Sequence, residues 1–382
     1  MNIRAIIKKG LIRLYSVGEI KKKVLFDSFG GTQYSADPRA ISEKMHEIFP
    51  DYEIVWALKP DVRKKNAILL PQYVRIVDTR MGYIKELATC TAYVTTEPLT
   101  QSFYKRKRQL VIQTWHGDRG LKKVLYEAAE SVGKTRSKIY DDDYTDLCIA
   151  ASNYGERCYR KAFKYTGKIL KDGMPRNDKL INEDQSEQHR LREIFEIPEK
   201  CKVLTYAPTF RGHSINEQSS VIDINKTLSV LEKHGEKWIC LLRAHEYSKG
   251  INIEGDSSSR IINVSIYPDM SDILLITDML ITDYSSCAGD YIVRRKPVIL
   301  AINDKEDYIK NSRSLSVDLE RTGFILSHNQ EELNNILETN TEKDYALESE
   351  CVMDFYGISE TGHAAESVCR IINDHYIKYI SE

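Results

Sequence analysis

The chain has 382 residues, which is too long for one ordinary domain and enough for two. Its net charge of −1 argues against a nucleic-acid-binding protein, and none of its apolar runs approaches the length of a membrane span or the pattern of a signal peptide. Eight scattered cysteines without a Cys-x-x-Cys pair argue for a reducing cytosol and against a zinc site or a disulfide framework.

The first 23 residues predict a basic amphipathic segment. Apolar residues recur at helical spacing between positions 3 and 15, and basic residues lie among and after them: Arg4, Lys8, Lys9, Arg13 and Lys21 to Lys23. A helix of this kind binds anionic membrane surfaces, although the same pattern also occurs in a surface helix packed on its domain. We favour the membrane and expect a peripheral protein on the cytoplasmic face of the cell membrane.

Strands and helices alternate from residue 24 onward. Short apolar runs predict strands at 24–26, 53–58, 74–77, 92–96, 110–115 and 147–150. Asp37 is the predicted N-cap of the helix after the first strand, with Pro38 at its first position, and Ser152 is the predicted cap after the sixth strand. This alternation indicates a doubly wound α/β sheet.

The alternation breaks at 172–178 and restarts at Lys202, which predicts a domain boundary near 175–190. Further strands are predicted at 203–206, 238–243, 279–282 and 298–300. We therefore predict three structural parts after the N-terminal segment: a first Rossmann-like domain over 24–180, a second over 181–365, and a C-terminal helix over 366–382 that packs back on the first domain.

A βαβ unit with a polar turn is predicted around the strand 279–282. Asp283, Ser285 and Ser286 follow this strand, and a helix then runs towards Arg295. The turn lies at the carboxyl end of a parallel strand, where open α/β sheets bind ligands. Free N–H groups at a helix start and two hydroxyls suit a phosphate, but plain N-capping by Asp283 or Ser285 explains the same residues equally well.

Two histidines follow predicted strands, His116 in the first half and His245 in the second. A lone histidine is more often structural, but two at carboxyl ends of strands favour function. The basic residues near them suit a polyanionic substrate, namely Arg119, Lys122, Lys123, Arg211 and Arg243. No P-loop motif occurs, and the acidic run 141–143 is typical of a solvated loop or a helix start rather than a metal site.

Five motifs occur in the order of a known enzyme family. They are 113–117 followed by 121–123, 173–178, 206–211, 243–245, and 271–274 with 282–286. Together with the stretch 31–40, they resemble the CDP-glycerol glycerophosphotransferase family, which builds teichoic acids and related phosphopolyol polymers. The resemblance extends over roughly residues 24 to 370.

This resemblance implies a GT-B-type pair of Rossmann-like domains with a cleft between them, an acceptor domain followed by a donor domain. It also implies a CDP-polyol donor and transfer without a metal or another cofactor. By position, His116 resembles the family's base on the acceptor hydroxyl, and His245 is the second catalytic candidate. Expected donor contacts, besides His245, are Thr209, Arg211, Arg243, Asp283, Ser285, Ser286, Lys122 and Lys123.

The chain departs from the family pattern at two places. The loop 117–120 reads Gly-Asp-Arg-Gly, where a shorter Gly-Thr-Pro is usual, and Glu246 follows His245, where proline is usual. Both departures concern residues next to a catalytic candidate, so they leave the acceptor and the exact polyol open.

The predicted reaction moves glycerol phosphate from CDP-glycerol to a hydroxyl of a lipid-linked saccharide or polyol-phosphate acceptor and releases CMP, in teichoic acid or capsule-like polymer synthesis. A histidine suits removal of the hydroxyl proton, and the departing CMP needs positive charge on its phosphates. The alternatives are use of CDP-ribitol, a GT-B glycosyltransferase with a nucleotide sugar, and a non-catalytic nucleotide-binding scaffold. The expected partners are donor, acceptor and membrane surface, without nucleic acid.

Overall fold

The computed structural model describes residues 3–134, 138–209, 222–244, 260–311 and 314–379. Two compact units divide the chain: the first comprises 1–118, 133–178 and 359–382, and the second comprises 119–132 and 179–358. Each unit contains a parallel β-sheet with helices between successive strands. The predicted fold class, two Rossmann-like α/β domains, is confirmed.

The sheet of the first unit has the strand order β3-β2-β1-β4-β5-β6-β7. Its strands are β1 (Lys21–Asp27), β2 (Glu53–Ala57), β3 (Arg75–Val77), β4 (Cys90–Thr95), β5 (Leu110–Gln113), β6 (Leu147–Ala150) and β7 (Lys168–Lys171). Every residue of β4 is buried, as expected of a central parallel strand covered on both faces. The order reverses between β1 and β4, so their carboxyl ends form a switch point where α/β sheets bind ligands.

The sheet of the second unit has the order β10-β9-β8-β11-β12-β13. Its strands are β8 (Cys201–Ala207), β9 (Lys237–Leu242), β10 (Ile261–Asn263), β11 (Met279–Thr282), β12 (Val298–Ala301) and β13 (Ile325–Ser327). The pairing of β8 with β11 aligns Ala207 with Thr282, so the loops after these two strands begin side by side. This pair is the switch point of the second sheet, and the predicted donor turn follows β11.

The helices in the described part of the chain are α1 (Ile3–Tyr15), α2 (Ala36–Ile48), α3 (Arg63–Asn66), α4 (Arg80–Thr89), α5 (Leu125–Ser131), α6 (Asp141–Tyr144), α7 (Asn153–Ala162), α8 (Asp178–Ile181), α9 (Gln185–Ile194), α10 (Ile224–Leu231), α11 (Met270–Leu275), α12 (Cys287–Tyr291), α13 (Lys305–Asn311), α14 (Gln330–Thr339), α15 (Glu342–Tyr356) and α16 (Ala364–Tyr379). None of them is long and apolar enough to cross a bilayer.

Helix α1 is shorter than the basic segment that the sequence predicts. It ends at Tyr15, and Lys21, Lys22 and Lys23 begin strand β1 instead. Lys23 is 3% exposed and forms an ion pair with Glu86 of α4. The lysines belong to the strand because β1 already pairs with β4 at Lys21, and the pairing continues from Val24 onward. Lys23 is therefore not available to an external surface.

Helix α2 does not begin as predicted at Asp37. Its N-cap is Ser35, and Asp37 is fully buried inside the first turn. The Asp37 carboxylate accepts a hydrogen bond from the backbone N–H of Arg176 at 3.0 Å and forms an ion pair with the Arg176 guanidinium. A buried carboxylate needs such a partner, so this long-range ion pair takes the place of local capping.

The C-terminal helix α16 belongs to the first unit and packs on α2. Its start is held by Asp178, whose carboxylate accepts the N–H groups of Ala364 at 3.0 Å and Ala365 at 2.8 Å. These are two of the N–H groups that a helix start leaves without a partner in its own helix. The motif 173–178 thus contributes one ion pair and one helix cap to the first unit.

Candidate active site

His116 lies three residues after the end of strand β5 in the first unit, and its partly exposed imidazole contacts two aromatic rings. The Trp115 ring stacks on it at a centroid distance of 3.9 Å, and the Phe29 ring stacks on it at 5.2 Å with an interplanar angle of 28°. Trp115 has a φ of 55°, a conformation that costs free energy for a bulky residue. The backbone strain is therefore found at the residue that presents His116.

Phe29 reaches this position through the loop after strand β1. Its own φ is 49°, and its backbone N–H donates to Thr96 Oγ1 at 2.8 Å. Gly30 and Gly31 follow with φ values of 62° and 76°, a region that glycine enters without steric cost. The glycine pair is visible in the sequence, but nothing in the sequence places Phe29 against a histidine after β5. Sequence reasoning missed this residue.

The same loop begins with a buried carboxylate. Asp27 is the last residue of β1, and its Oδ2 accepts a hydrogen bond from the Tyr93 hydroxyl at 3.2 Å. Burial raises the pKa of Asp27 to about 6. A titratable carboxyl group therefore lies at the carboxyl ends of β1 and β4, at the start of the loop that contains Phe29.

Asp118 and Arg119 follow His116 in the chain, and both are buried. Asp118 is 5% exposed, and its carboxylate accepts the Ala151 N–H at 3.0 Å within the first unit. Arg119, expected among the charges for a polyanionic substrate, is 1% exposed and pairs with Asp290 of α12 within the second unit. Because its guanidinium is buried, Arg119 cannot contact a substrate directly, and the prediction for this residue is wrong.

In the second unit, Asp283 joins the ends of strands β8 and β11. Its carboxylate accepts the Thr209 N–H at 2.9 Å and the Tyr284 N–H at 2.5 Å, and the residue is 3% exposed. The structure therefore brings the predicted residues Thr209 and Asp283 together. A carboxylate repels phosphate, so the geometry favours a role for Asp283 in shaping the turn.

Ser285 and Ser286 are both partly exposed at the start of α12. This helix is shorter than predicted: it ends at Tyr291, a 3₁₀ turn continues to Arg294, and Arg295 is left-handed. Ser286 is the N-cap residue but makes no side-chain cap hydrogen bond, and Ser285 Oγ accepts only a long hydrogen bond of 3.4 Å from Cys287. N-capping thus accounts poorly for the two hydroxyls.

Arg243 has a defined structural contact at the end of strand β9. Its Nη1 donates to the carbonyl oxygens of Tyr267 at 2.6 Å and Val264 at 3.3 Å, and burial lowers its pKa. At least one edge of the guanidinium therefore holds the loop after β10.

The remaining predicted contacts lie in two groups. Lys122 and Lys123 are partly exposed in the second unit, where Lys122 forms a β-bridge with Leu315. His245 and Arg211 lie outside the described residues.

The acidic run 141–143 begins helix α6, one of the two predicted outcomes, but it is only partly solvated. Asp141 is buried and accepts hydrogen bonds from Leu99 N–H at 2.9 Å and Gln113 Nε2 at 2.8 Å. Burial raises the pKa of Asp141 to about 6. Within the described ranges, no three His, Cys, Asp or Glu residues are placed to hold a metal ion.

Curated relatives match most of the chain. The teichoic acid poly(glycerol phosphate) polymerase of Staphylococcus epidermidis is 30% identical over 305 residues, which is 76% of this chain and 42% of the relative. The teichoic acid poly(glycerol phosphate) polymerase of Bacillus subtilis strain 168 is 27% identical over 95% of this chain and 50% of its own length. The chain thus spans about half the length of these two polymerases. The teichoic acid glycerol-phosphate transferase of Staphylococcus aureus is 27% identical and is covered over 93% of its length.

Solved structures agree with these relatives. The wall teichoic acid polymerase TagF, in a histidine variant with CDPG, superposes with a TM-score of 0.82 at 27% identity, over 98% of this chain and 96% of that chain. The S. aureus MnaA–UDP structure, at 14% identity and a TM-score of 0.51, shares the fold alone. The profile of one family matches residues 13–374, nearly the whole sequence. The chain belongs to the CDP-glycerol:poly(glycerophosphate) glycerophosphotransferase family.

Proposed function

We propose that this chain transfers glycerol phosphate from CDP-glycerol to a hydroxyl of a lipid-linked or polymeric acceptor and releases CMP. The acceptor oxygen bonds to the phosphorus that carries glycerol, the bond from that phosphorus to the CMP oxygen breaks, and the hydroxyl proton leaves to a base. The observation that carries this proposal is the presentation of His116: a partly exposed imidazole at the carboxyl end of β5, in a chain of this family. A positioned histidine is the commonest general base.

The donor diphosphate would bind at the carboxyl ends of β8 and β11. Ser285 and Ser286 would donate hydroxyl hydrogen bonds to it, and Asp283 would hold the turn against Thr209. The negative charge on departing CMP would be balanced by cations of the second unit. Among the described residues, these are Lys122, Lys123 and the part of the Arg243 guanidinium that does not hold the loop after β10. His245 and Arg211 keep their proposed donor roles on the family resemblance alone.

We further propose that helix α1 rests on the membrane surface, but through its apolar face. Ile3, Ile6, Ile7 and Leu14 are exposed on α1, and Val17 is exposed just after it. Three basic side chains of α1 contact the domain instead: Lys8 lies over the Tyr83 ring at 5.2 Å, Lys9 donates to the Tyr144 hydroxyl at 3.1 Å, and Arg13 lies over the Tyr104 ring at 5.0 Å. An exposed apolar stripe of this kind suits burial in the interfacial region of a bilayer.

The test is donor-dependent release of CMP. Purified chain would be incubated with CDP-glycerol, CDP-ribitol or a nucleotide sugar, each with a polyol-phosphate acceptor, in the presence of EDTA and again with added magnesium. We expect CMP from CDP-glycerol, transfer of the glycerol phosphate label to the acceptor, and no dependence on magnesium. Faster turnover of CDP-ribitol would show that CDP-ribitol is the donor. Release of UDP or GDP would show that the chain is a glycosyltransferase. Tight CDP-glycerol binding without turnover would indicate a non-catalytic scaffold.

A further inference from the structure

The segment that follows His116 is anchored in the second unit by a buried ion pair. Arg119 Nη2 lies 3.2 Å from Asp290 Oδ1, and the two side chains are 0% and 13% exposed. A buried pair contributes little net stability, but removal of one partner leaves an uncompensated charge in the interior. The Arg119–Asp290 pair therefore fixes position more than it adds stability.

The backbone of residue 119 also packs closely on helix α12. A Cβ atom built at Gly289 would lie 2.5 Å from Arg119 Cβ and 2.9 Å from the Arg119 carbonyl oxygen. No real side chain tolerates such contacts, so glycine at 289 permits the approach. Gly289 and Asp290 are neighbours on α12, and both contact the same residue.

A second attachment follows a few residues later. The Lys123 N–H donates to the Ser314 carbonyl at 3.0 Å, and the Ser316 N–H donates to the Leu121 carbonyl at 2.9 Å. The stretch 119–123 is thus held by side-chain and backbone contacts together. It begins three residues after His116 in the chain.

Helix α12 needs such support because it has only five residues. A helix of this length does not hold its own shape, since nucleation is unfavourable and short helices depend on tertiary packing. Ser285 and Ser286 immediately precede it. Their placement therefore depends on what α12 packs against, and Arg119 contacts it through Gly289 and Asp290.

We propose that Arg119 and Asp290 are positioning residues for the reaction: they hold the turn 283–286 in the conformation that receives the donor diphosphate. This inference rests on the proposed function. It differs from the sequence prediction, in which Arg119 offers its charge to the substrate. It also gives the Gly-Asp-Arg-Gly loop, which departs from the usual family pattern, a specific task.

The experiment compares Arg119→Met, Arg119→Lys and Asp290→Asn with the matched control Asp278→Asn. Asp278 pairs with Lys296 at 2.9 Å in the same unit, but these residues precede strands β11 and β12 and so lie at the opposite ends of the strands. For each full-length variant, the measurements are the melting temperature, hydrogen–deuterium exchange over 283–291, CDP-glycerol affinity by calorimetry, and kcat and KM for CMP release.

We expect Arg119→Met and Asp290→Asn to accelerate exchange over 283–291 and to lower kcat/KM by about 10²-fold, the loss that a small misplacement of reacting groups causes. Arg119→Lys, which keeps the charge, should recover part of the loss. Asp278→Asn should lower the melting temperature without changing exchange at 283–291 or donor affinity.

The inference is overturned if Arg119→Met is folded and retains wild-type exchange, or if exchange accelerates while donor affinity and turnover stay normal. Equal losses in Asp278→Asn would also overturn it, because they would indicate general destabilisation. If the wild-type chain neither binds nor turns over CDP-glycerol, the proposed function is refuted instead. The assay of the wild-type chain alone distinguishes this outcome from failure of the inference.

Discussion

Phe29 and His116 stack face to face at a centroid distance of 5.2 Å, although they lie on loops after different strands of the first sheet. Phe29 follows β1 and His116 follows β5, so β4 lies between the two strands. Both His116 neighbours in this stack, Phe29 and Trp115, have left-handed backbone conformations. Strained residues that converge on one imidazole are typical of a site whose geometry is fixed for function.

Replacement of His116 tests the proposed base. His116→Ala should lower kcat by about 10²–10⁴-fold, the usual contribution of general acid–base catalysis, while CDP-glycerol affinity changes little. His116→Asn retains hydrogen bonding but cannot accept the proton, so it should be nearly as slow. Single-turnover CMP release at saturating donor and acceptor is the measurement. A near-normal rate, or a defect confined to donor binding, would rule out the base.

Phe29 should matter through His116 and not through donor binding. Phe29→Leu removes an aromatic contact worth about 0.5–1.5 kcal/mol, so kcat should fall by about 2- to 10-fold with donor KM unchanged, whereas Phe29→Tyr should retain activity. An unchanged kcat in Phe29→Leu would leave Phe29 with a packing role only.

The sequence predicts elements well where local signals suffice. Strand β11 is found at the predicted residues, Met279–Thr282, because a short fully buried apolar run has few other solutions. Ser152 caps α7 as predicted, with its side chain accepting from Gly155 N–H at 2.8 Å. The fold and the family were predictable for the same reason: they depend on short motifs in a fixed order.

The sequence is less informative where contacts with residues distant in the chain determine the local structure. Asp37 is a residue type that often caps helices, yet its carboxylate forms a buried ion pair with Arg176, and the N-cap residue of α2 is Ser35. Strands β7, β10 and β13 were missed because they are short and partly exposed, so no apolar run marks them. Arg119 resembles any surface cation until its partner Asp290 is known. Such contacts join residues far apart in the chain, and no spacing rule encodes them.

The donor turn is tested by removing its hydroxyls. Ser285→Ala combined with Ser286→Ala should weaken CDP-glycerol binding, because two charge-assisted hydrogen bonds are lost, each worth about 1.5–3 kcal/mol. The matched control is Ser229→Ala on helix α10, where the hydroxyl donates to the Asn225 carbonyl at 2.8 Å. Calorimetry with CDP-glycerol measures the effect. Unchanged affinity in the double variant would return both serines to a structural role.

Membrane binding by α1 should depend on its apolar face. Ile6→Ser with Ile7→Ser and Leu14→Ser should lower vesicle partitioning by about tenfold or more, because each exposed side chain loses apolar burial. Binding should largely survive about 1 M NaCl, where the Debye length is about 3 Å, since Lys8, Lys9 and Arg13 contact tyrosines of the domain. Leu347→Ser, an exposed site on α15, is the control. Equal sedimentation of all variants with anionic vesicles would contradict the proposal.

A buried carboxyl in the second unit predicts how stability varies with pH. Glu348 of α15 is 3% exposed and accepts the N–H groups of Val298 at 3.2 Å and Ile325 at 3.0 Å, at the starts of β12 and β13. Burial raises the pKa of Glu348 from 4.5 to about 8. The folded chain therefore holds this proton more tightly than the unfolded chain does between those two pH values.

Because the folded-state pKa is the higher one, the stability contributed by Glu348 is fully present below pH 4.5 and is lost as the pH rises towards about 8. Glu348→Gln cannot ionise, so it should remove this part of the pH dependence, which for one proton is at most about 1.4 kcal/mol per pH unit. Urea unfolding of both chains at intervals across this range is the measurement. The difference in free energy of unfolding, wild type minus variant, should decrease steadily with pH. A constant difference would mean that Glu348 stays ionised in the folded chain, held by its two backbone N–H donors.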